Sequence, residues 1–185
     1  MIVNLKKCSK KIVLKEGKFI RFVKKGGWEY IERVNCDGAV VILALTKDRK
    51  VLFVEQFRPP VGKKVIEFPA GLINDCPKRK SKESIISAAK RELLEETGYK
   101  AKRIIKVLEG PASSGTSSDV LTLVRAVDIE KVSSGGGDEG ESIIVHEVKL
   151  DKAESWLKQM KNKGFLIGTR IYAGLYFLNK YNGAK

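Results

Sequence analysis

Long apolar runs are missing from this 185-residue sequence. The longest, Ala39 to Leu45, is far short of the roughly 18 to 20 residues of a membrane span. The opening MIVNLKKCSKK has lysines but no apolar stretch behind them, so no secretory signal is expected. Cysteine is scarce: Cys8, Cys36 and Cys76 form an odd, widely spaced set without a CxxC pair. That argues against a disulfide framework and for a reduced, cytoplasmic setting. The single histidine, His146, has no cysteine or second histidine at ligand spacing, which removes zinc from consideration. Walker-type GxxxxGK[ST] and nucleophile-elbow GxSxG patterns are absent, so a P-loop and serine-based covalent catalysis have no support. Acid is also in short supply, with Asp+Glu 22 against Lys+Arg 36 and a net charge of +14. Such an excess points to an anionic partner: nucleic acid, a membrane surface or a phosphorylated small molecule. The bases are scattered in short groups such as Lys63-Lys64, however, which fits a solvated cationic surface better than a nucleic-acid footprint.

What is present is enough for one domain with a sizeable core: 43% of residues are hydrophobic. Lys11 to Lys15, Lys18 to Val23 and Trp28 to Val34 read as short strands separated by Glu16-Gly17 and Gly26-Gly27. Ala39 to Leu45 suits a strand buried on both faces, followed by strands at Val51 to Phe57 and Val65 to Phe68. Ser84 to Thr97 is the first helix, with Ile86, Ala89 and Leu93 at helical spacing and Gly98 where a left-handed cap belongs. Strands are predicted again at Ala101 to Leu108, Val120 to Val127 and Ser142 to Leu150, the last two joined by a glycine-rich, acidic loop, Ser133 to Glu141. Asp151 and Glu154 read as a capping box opening a second helix that stops at Gly164, and a third helix spans about Thr169 to Lys180. The fold class is α+β.

The scarce acid is concentrated where it matters. Glu92, Glu95 and Glu96 lie within about one and a half turns of the first helix, with Glu92 and Glu96 about 40° apart around its axis. Three carboxylates on one side repel one another, and no cation at helical spacing offsets all three. A solvated acidic face is one outcome; a divalent cation with hard oxygen ligands is the other.

The surroundings favour the second. Glu83, seven residues, then Arg91-Glu92-Leu93-Leu94-Glu95-Glu96-Thr97-Gly98-Tyr99 resembles the Nudix box, G-x5-E-x7-R-E-U-x-E-E-x-G-U with U apolar. Its opening glycine is best placed at Gly71, although eleven residues rather than five separate Gly71 from Glu83. A longer surface loop around Asn74 to Lys82 accounts for the difference at little cost. Val54 to Pro60, Ile66 to Ile73, Ser114 to Ser117, Asp138 to Glu141 and the Trp156 to Leu178 region are similar to the ADP-ribose and nucleoside-diphosphate-sugar pyrophosphatase branch. The resemblance implies an α/β/α sandwich around a mixed sheet (residues 37–185) with an N-terminal antiparallel β arm (residues 1–36) that reaches a partner subunit in a homodimer. It also implies Mg²⁺-dependent hydrolysis of a pyrophosphate bond, with Mn²⁺ as a substitute, releasing a nucleoside monophosphate and a sugar phosphate.

By resemblance, Glu92, Glu96 and the Ala70 carbonyl are metal ligands, with Glu95 beside them bridging ions or ordering a water. Arg91 is read as an organiser of these carboxylates. Glu141 aligns with a loop glutamate acting as general base, against a solvated hairpin tip or a box carboxylate in that role. Arg58 is positioned for a substrate phosphate or ribose, or else caps a strand end; Glu67 aligns near the diphosphate. Trp28 and Arg33 match positions where the arm reaches the nucleobase, although Trp28 equally suits a core or a dimer interface. Ser114 and Gly115 are placed at the terminal sugar. Dinucleotide or capped-RNA hydrolysis, and a sensor that binds nucleotide sugars without turnover, are the alternatives.

Overall fold

The computed structural model describes residues 10–75, 82–137 and 142–183. Three strands open it: β1 (Ile12–Glu16), β2 (Ile20–Lys25) and β3 (Trp28–Arg33) form an antiparallel sheet of their own. Two four-stranded sheets make up the body. One has the order β7-β4-β9-β8, from β4 (Ala39–Ala44), β7 (Ala70–Leu72), β8 (Tyr99–Pro111) and β9 (Val120–Lys131). The other has the order β10-β5-β6-β11, from β5 (Lys50–Arg58), β6 (Lys63–Glu67), β10 (Ile144–Lys149) and β11 (Leu166–Ile167). Both are mixed, since β4 runs parallel to β9 and β6 parallel to β11 while the other pairs are antiparallel. The helices are α1 (Ile85–Thr97), α2 (Ala153–Asn162) and α3 (Arg170–Gly183).

The apolar run at β4 shows why helices occupy both sides. Successive strand side chains alternate in direction. Val41 and Leu43 join a core with Phe53, Ile66 and Phe68 against Leu157 of α2 and Ile171, Leu175 and Leu178 of α3. Val40, Ile42 and Ala44 join a second core with Leu52 and Val124 against Ala88, Ala89 and Leu93 of α1. The predicted α+β sandwich with an antiparallel N-terminal sheet is the architecture found.

Helix α1 has the expected ends. The Ser84 hydroxyl accepts a hydrogen bond from the Ser87 amide, and Gly98, at φ 76°, caps the C-terminus by donating its N–H to the Leu94 carbonyl. The capping box at α2 is not formed. Leu150–Lys152 is already a 3-10 turn, so Asp151 lies inside a turn rather than ahead of one, and Lys152 stands at the N-cap without a side-chain bond. Strands β7 and β11, of three and two residues, are too short to show an alternating pattern in the sequence.

Candidate active site

The acidic face of α1 is organised around one arginine. The Arg91 guanidinium donates from Nε to Glu83 Oε1 (3.1 Å), from Nη2 to Glu83 Oε2 (3.2 Å) and from Nη1 to Glu95 Oε2 (2.9 Å). Nη1 also lies 2.7 Å from Glu92 Oε1, and Nη2 donates to the Leu72 carbonyl. Desolvation acts against the charged guanidinium, but Glu83, Glu92 and Glu95 outweigh it and raise its pKa above the ordinary value. Glu83 also closes the base of the enlarged loop: its amide donates to Asn74 Oδ1, and its Oε2 accepts from the Asn74 amide at 3.3 Å.

Glu92 and Glu96 are only 9% and 5% exposed. Burial pushes the Glu92 carboxyl up to about 7, against the opposing pull of Arg91. Glu92 packs so closely on Gly71 that a Cβ there would come within 1.8 Å of its carboxylate carbon. Only glycine fits that position, which supports Gly71 as the start of the motif despite the longer spacing. Glu96 Oε2 accepts from the Ala70 amide at 3.1 Å, so strand β7 is held to α1 through the site itself.

Ala70, Gly71, Glu92 and Glu96 open into a cleft of about 540 Å³ that Arg33, Arg58, Arg91 and Arg170 also line. Arg33 Nε donates to Asp119 Oδ2 at 3.1 Å. Arg58 Nε donates to Glu67 Oε2 at 2.7 Å, and Arg170 Nη2 lies 3.6 Å from Glu67 Oε1. Arg170, Asp119 and Asp75 in this cleft were not singled out from the sequence. Arg170 did carry a signal: it stands in the first turn of α3, where a cation opposes the helix dipole at a cost of about 0.3–1 kcal/mol.

Two other predicted groups sit elsewhere. Trp28 is 61% exposed and shares a smaller cleft, of about 330 Å³, with Ser114 and Gly115, together with Lys25, Tyr30, Ser117 and Ser118. The resemblance places these three residues at opposite ends of a substrate, yet they meet at one place. They do so because Ile31 of β3 exchanges backbone hydrogen bonds with the 113–118 loop, accepting from Ser118 and donating to Thr116. Glu141 lies outside the described residues.

The start of the glycine-rich loop is docked rather than simply a loose connection. The Gly136 and Gly137 amides donate to the Glu96 and Glu95 carbonyls, at 2.9 and 3.0 Å. These carbonyls are in the last turn of α1, where helical partners run out. Gly135, at φ 69°, approaches so closely that a Cβ would lie 2.4 Å from the Thr97 carbonyl carbon.

A divalent cation suits the donor chemistry here. Glu92 and Glu96 place hard oxygens in one cleft that Ala70 also lines, and the bare Gly71 gives the Glu92 carboxylate its room. Among the described residues no three carboxylate, histidine or cysteine side chains stand ready as a metal cage. Glu92 and Glu95 instead share Arg91 Nη1, so occupation requires them to turn from it.

The sequence pattern of the NUDIX domain matches residues 36–165. The ADP-ribose pyrophosphatase of Bacillus subtilis is 35% identical over 146 residues, covering 78% of this chain and 74% of that protein. The methanol dehydrogenase activator of Bacillus methanolicus is 33% identical over 131 residues, covering 70% and 68%. A crystal structure of an ADP compounds hydrolase superposes with a TM-score of 0.69 at 20% identity, over 93% of this chain and 91% of that one, which is a likeness of fold. The acidic helix, its saturated arginine and the glycine beneath Glu92 agree with that pattern: the chain belongs to the Nudix family of hydrolases.

Proposed function

We propose that this protein hydrolyses the pyrophosphate bond of ADP-ribose or a related nucleoside diphosphate sugar in a metal-dependent reaction, giving a nucleoside monophosphate and a sugar phosphate. The observation that carries this reading is the pairing, in one cleft, of buried Glu92 and Glu96 with Arg33, Arg58 and Arg170. Carboxylates suit a cation and guanidiniums suit phosphate oxygens, and a metal-bound diphosphate presents both. The pyrophosphatase relative supports the same substrate class.

Glu92, Glu96 and the Ala70 carbonyl would hold Mg²⁺, or Mn²⁺ in its place, with Glu95 alongside. Such an ion, when bound, neutralises diphosphate charge and makes a water more acidic. The chain's own groups supply the remainder. Arg58, held through Nε by Glu67, presents its outer nitrogens to diphosphate oxygens. Arg33, which the resemblance matches to the nucleobase together with Trp28, lines the carboxylate cleft apart from Trp28 and is assigned to the diphosphate instead. Glu67 orients Arg58, and Arg91 sets the resting positions of Glu92 and Glu95. Glu95 orders the attacking water, and Glu141 is the proposed proton acceptor on the strength of the resemblance. Trp28 offers an exposed ring for a nucleobase, with Ser114 and Gly115 beside it.

The protein is proposed to act in the cytoplasm as a homodimer formed through the N-terminal arm, residues 1–36, with the hydrolase domain at 37–185. Ile12, Leu14, Ile20 and Phe22 are all exposed on that small sheet, a surface suited to a second copy. Sedimentation at low concentration is expected to show a dimer, and a fully active monomer refutes this.

Phosphorus NMR of products tests the reaction, using ADP-ribose, ADP-glucose, GDP-mannose, UDP-glucose, a diadenosine polyphosphate and capped RNA, with Mg²⁺ or with EDTA. Mg²⁺-dependent release of nucleoside monophosphate and sugar phosphate is the expected result. Cleavage of capped RNA or of the dinucleotide alone would move the reading to those substrates. Binding of the sugars with no turnover would make the protein a sensor.

A further inference from the structure

We propose that Arg170 is a substrate-binding residue, paired with Arg58 through Glu67 so that two guanidiniums take one phosphoryl group of the diphosphate between them. This rests on the nucleoside diphosphate sugar reading above.

Arg170 is out of place on local grounds. It begins α3, whose first turn has no acid, and a cation there faces the positive end of the helix. Its position follows instead from β11. That two-residue strand pairs in parallel with β6, Leu166 with Val65 and Ile167 with Ile66, and the Gly168 amide donates to the Ile66 carbonyl. The start of α3 is thereby fixed beside Glu67. Gly168 leaves space for this, because a Cβ on it would press on Glu67 Cγ at 3.3 Å.

One carboxylate then serves two arginines. Glu67 Oε2 accepts from Arg58 Nε at 2.7 Å, whereas Oε1 lies 3.6 Å from Arg170 Nη2, beyond hydrogen-bond length. Among the described residues, Arg58 donates its side-chain hydrogen bond from Nε, none from Nη1 or Nη2, and Arg170 has only that long contact to Glu67. Two guanidiniums and one carboxylate carry a net positive charge. Both arginines line the cleft that holds Ala70, Glu92 and Glu96. Unused planar donors beside a phosphate-binding cleft match the oxygens of a phosphoryl group, which two forks can grip from two directions.

The test compares Arg170→Gln, Arg170→Lys and Arg58→Gln with the unaltered protein. Steady-state hydrolysis of ADP-ribose gives KM and kcat, and calorimetry gives affinity for its non-hydrolysable α,β-methylene analogue. Thermal unfolding serves as the control for folding. Arg170→Gln is expected to raise KM and weaken analogue binding about tenfold with kcat within about threefold, and Arg170→Lys to recover part of the loss. If the unaltered protein turns over ADP-ribose and Arg170→Gln matches it in KM and analogue affinity, this inference alone fails. If the unaltered protein neither binds nor hydrolyses any nucleoside diphosphate sugar, the underlying reading fails and takes this one with it.

Discussion

Arg91 and the arginines that share its cleft are the same residue type in two states. Every nitrogen of the Arg91 guanidinium is engaged, by both oxygens of Glu83, by Glu95 and Glu92, and by the Leu72 carbonyl. Arg33 and Arg58 each donate from Nε to one carboxylate and line the cleft. A saturated guanidinium holds its neighbours in place, and a half-satisfied one is available to a ligand. The difference also has an energetic side. The Glu83 side chain is 1% exposed, and removing the charged partner of a buried carboxylate costs about 3–5 kcal/mol. The Arg33–Asp119 pair is more exposed, and such pairs contribute about 0–1 kcal/mol.

The largest effect expected concerns the carboxylates that Arg91 organises. Glu96→Gln keeps an oxygen for the Ala70 amide, so the fold should persist while Mg²⁺-dependent turnover of ADP-ribose falls about 10²- to 10³-fold. Near-normal turnover in that variant removes Glu96 from the proposed metal site. The comparison itself is broken or upheld by urea unfolding of Arg91→Ala beside Arg33→Ala. Arg91→Ala is expected to lose about 3–5 kcal/mol of stability. Arg33→Ala should stay within about 0.5 kcal/mol and instead raise KM several-fold. Equal destabilisation by the two would show that both arginines serve the fold alike.

The smallest effect is one of pH, at a carboxylate remote from the cleft. Glu147 is held down at about 2, first by the Tyr99 hydroxyl, against the opposing effect of burial, and then by Lys131 and Lys50. A depressed carboxylate stabilises the fold fully above its unfolded value of about 4.3, and this stability is lost as pH falls through the folded value. Unfolding free energies measured between about pH 5 and pH 2 should therefore fall further for the natural protein than for Glu147→Gln, by on the order of 1–2 kcal/mol. Identical slopes would show that Tyr99 and the two lysines do not depress Glu147.

Much of the scaffold and part of the site is legible in the sequence. The spacing of Glu92, Glu95 and Glu96 after Arg91 marked the acidic helix, and Ser84 and Gly98 marked its ends. The continuous apolar stretch of β4 implied burial on both faces, and both cores meet there. Other features gave no such warning. Gly135 to Gly137 read as a flexible connection, yet two of their amides complete the last turn of α1. Trp28 and the Ser114–Gly115 pair were assigned to different parts of a substrate and share one cleft. Arg170 shows in the sequence only as a cation at a helix start, and nothing near it indicates Glu67.

The division follows the range of the forces involved. Helix periodicity, end caps and strand alternation are set by residues within a turn or two, so the sequence alone determined the elements, the acidic stripe and the family motif. Which charges meet was decided by the tertiary structure. Arg33 finds Asp119 at a separation of 86 residues, and Arg170 finds Glu67 because a two-residue strand pairs in parallel with β6. Hydrogen bonds and ion pairs act over a few ångströms, and only packing brings distant segments that close. Whether an arginine ends up saturated or open to a ligand is settled at that step.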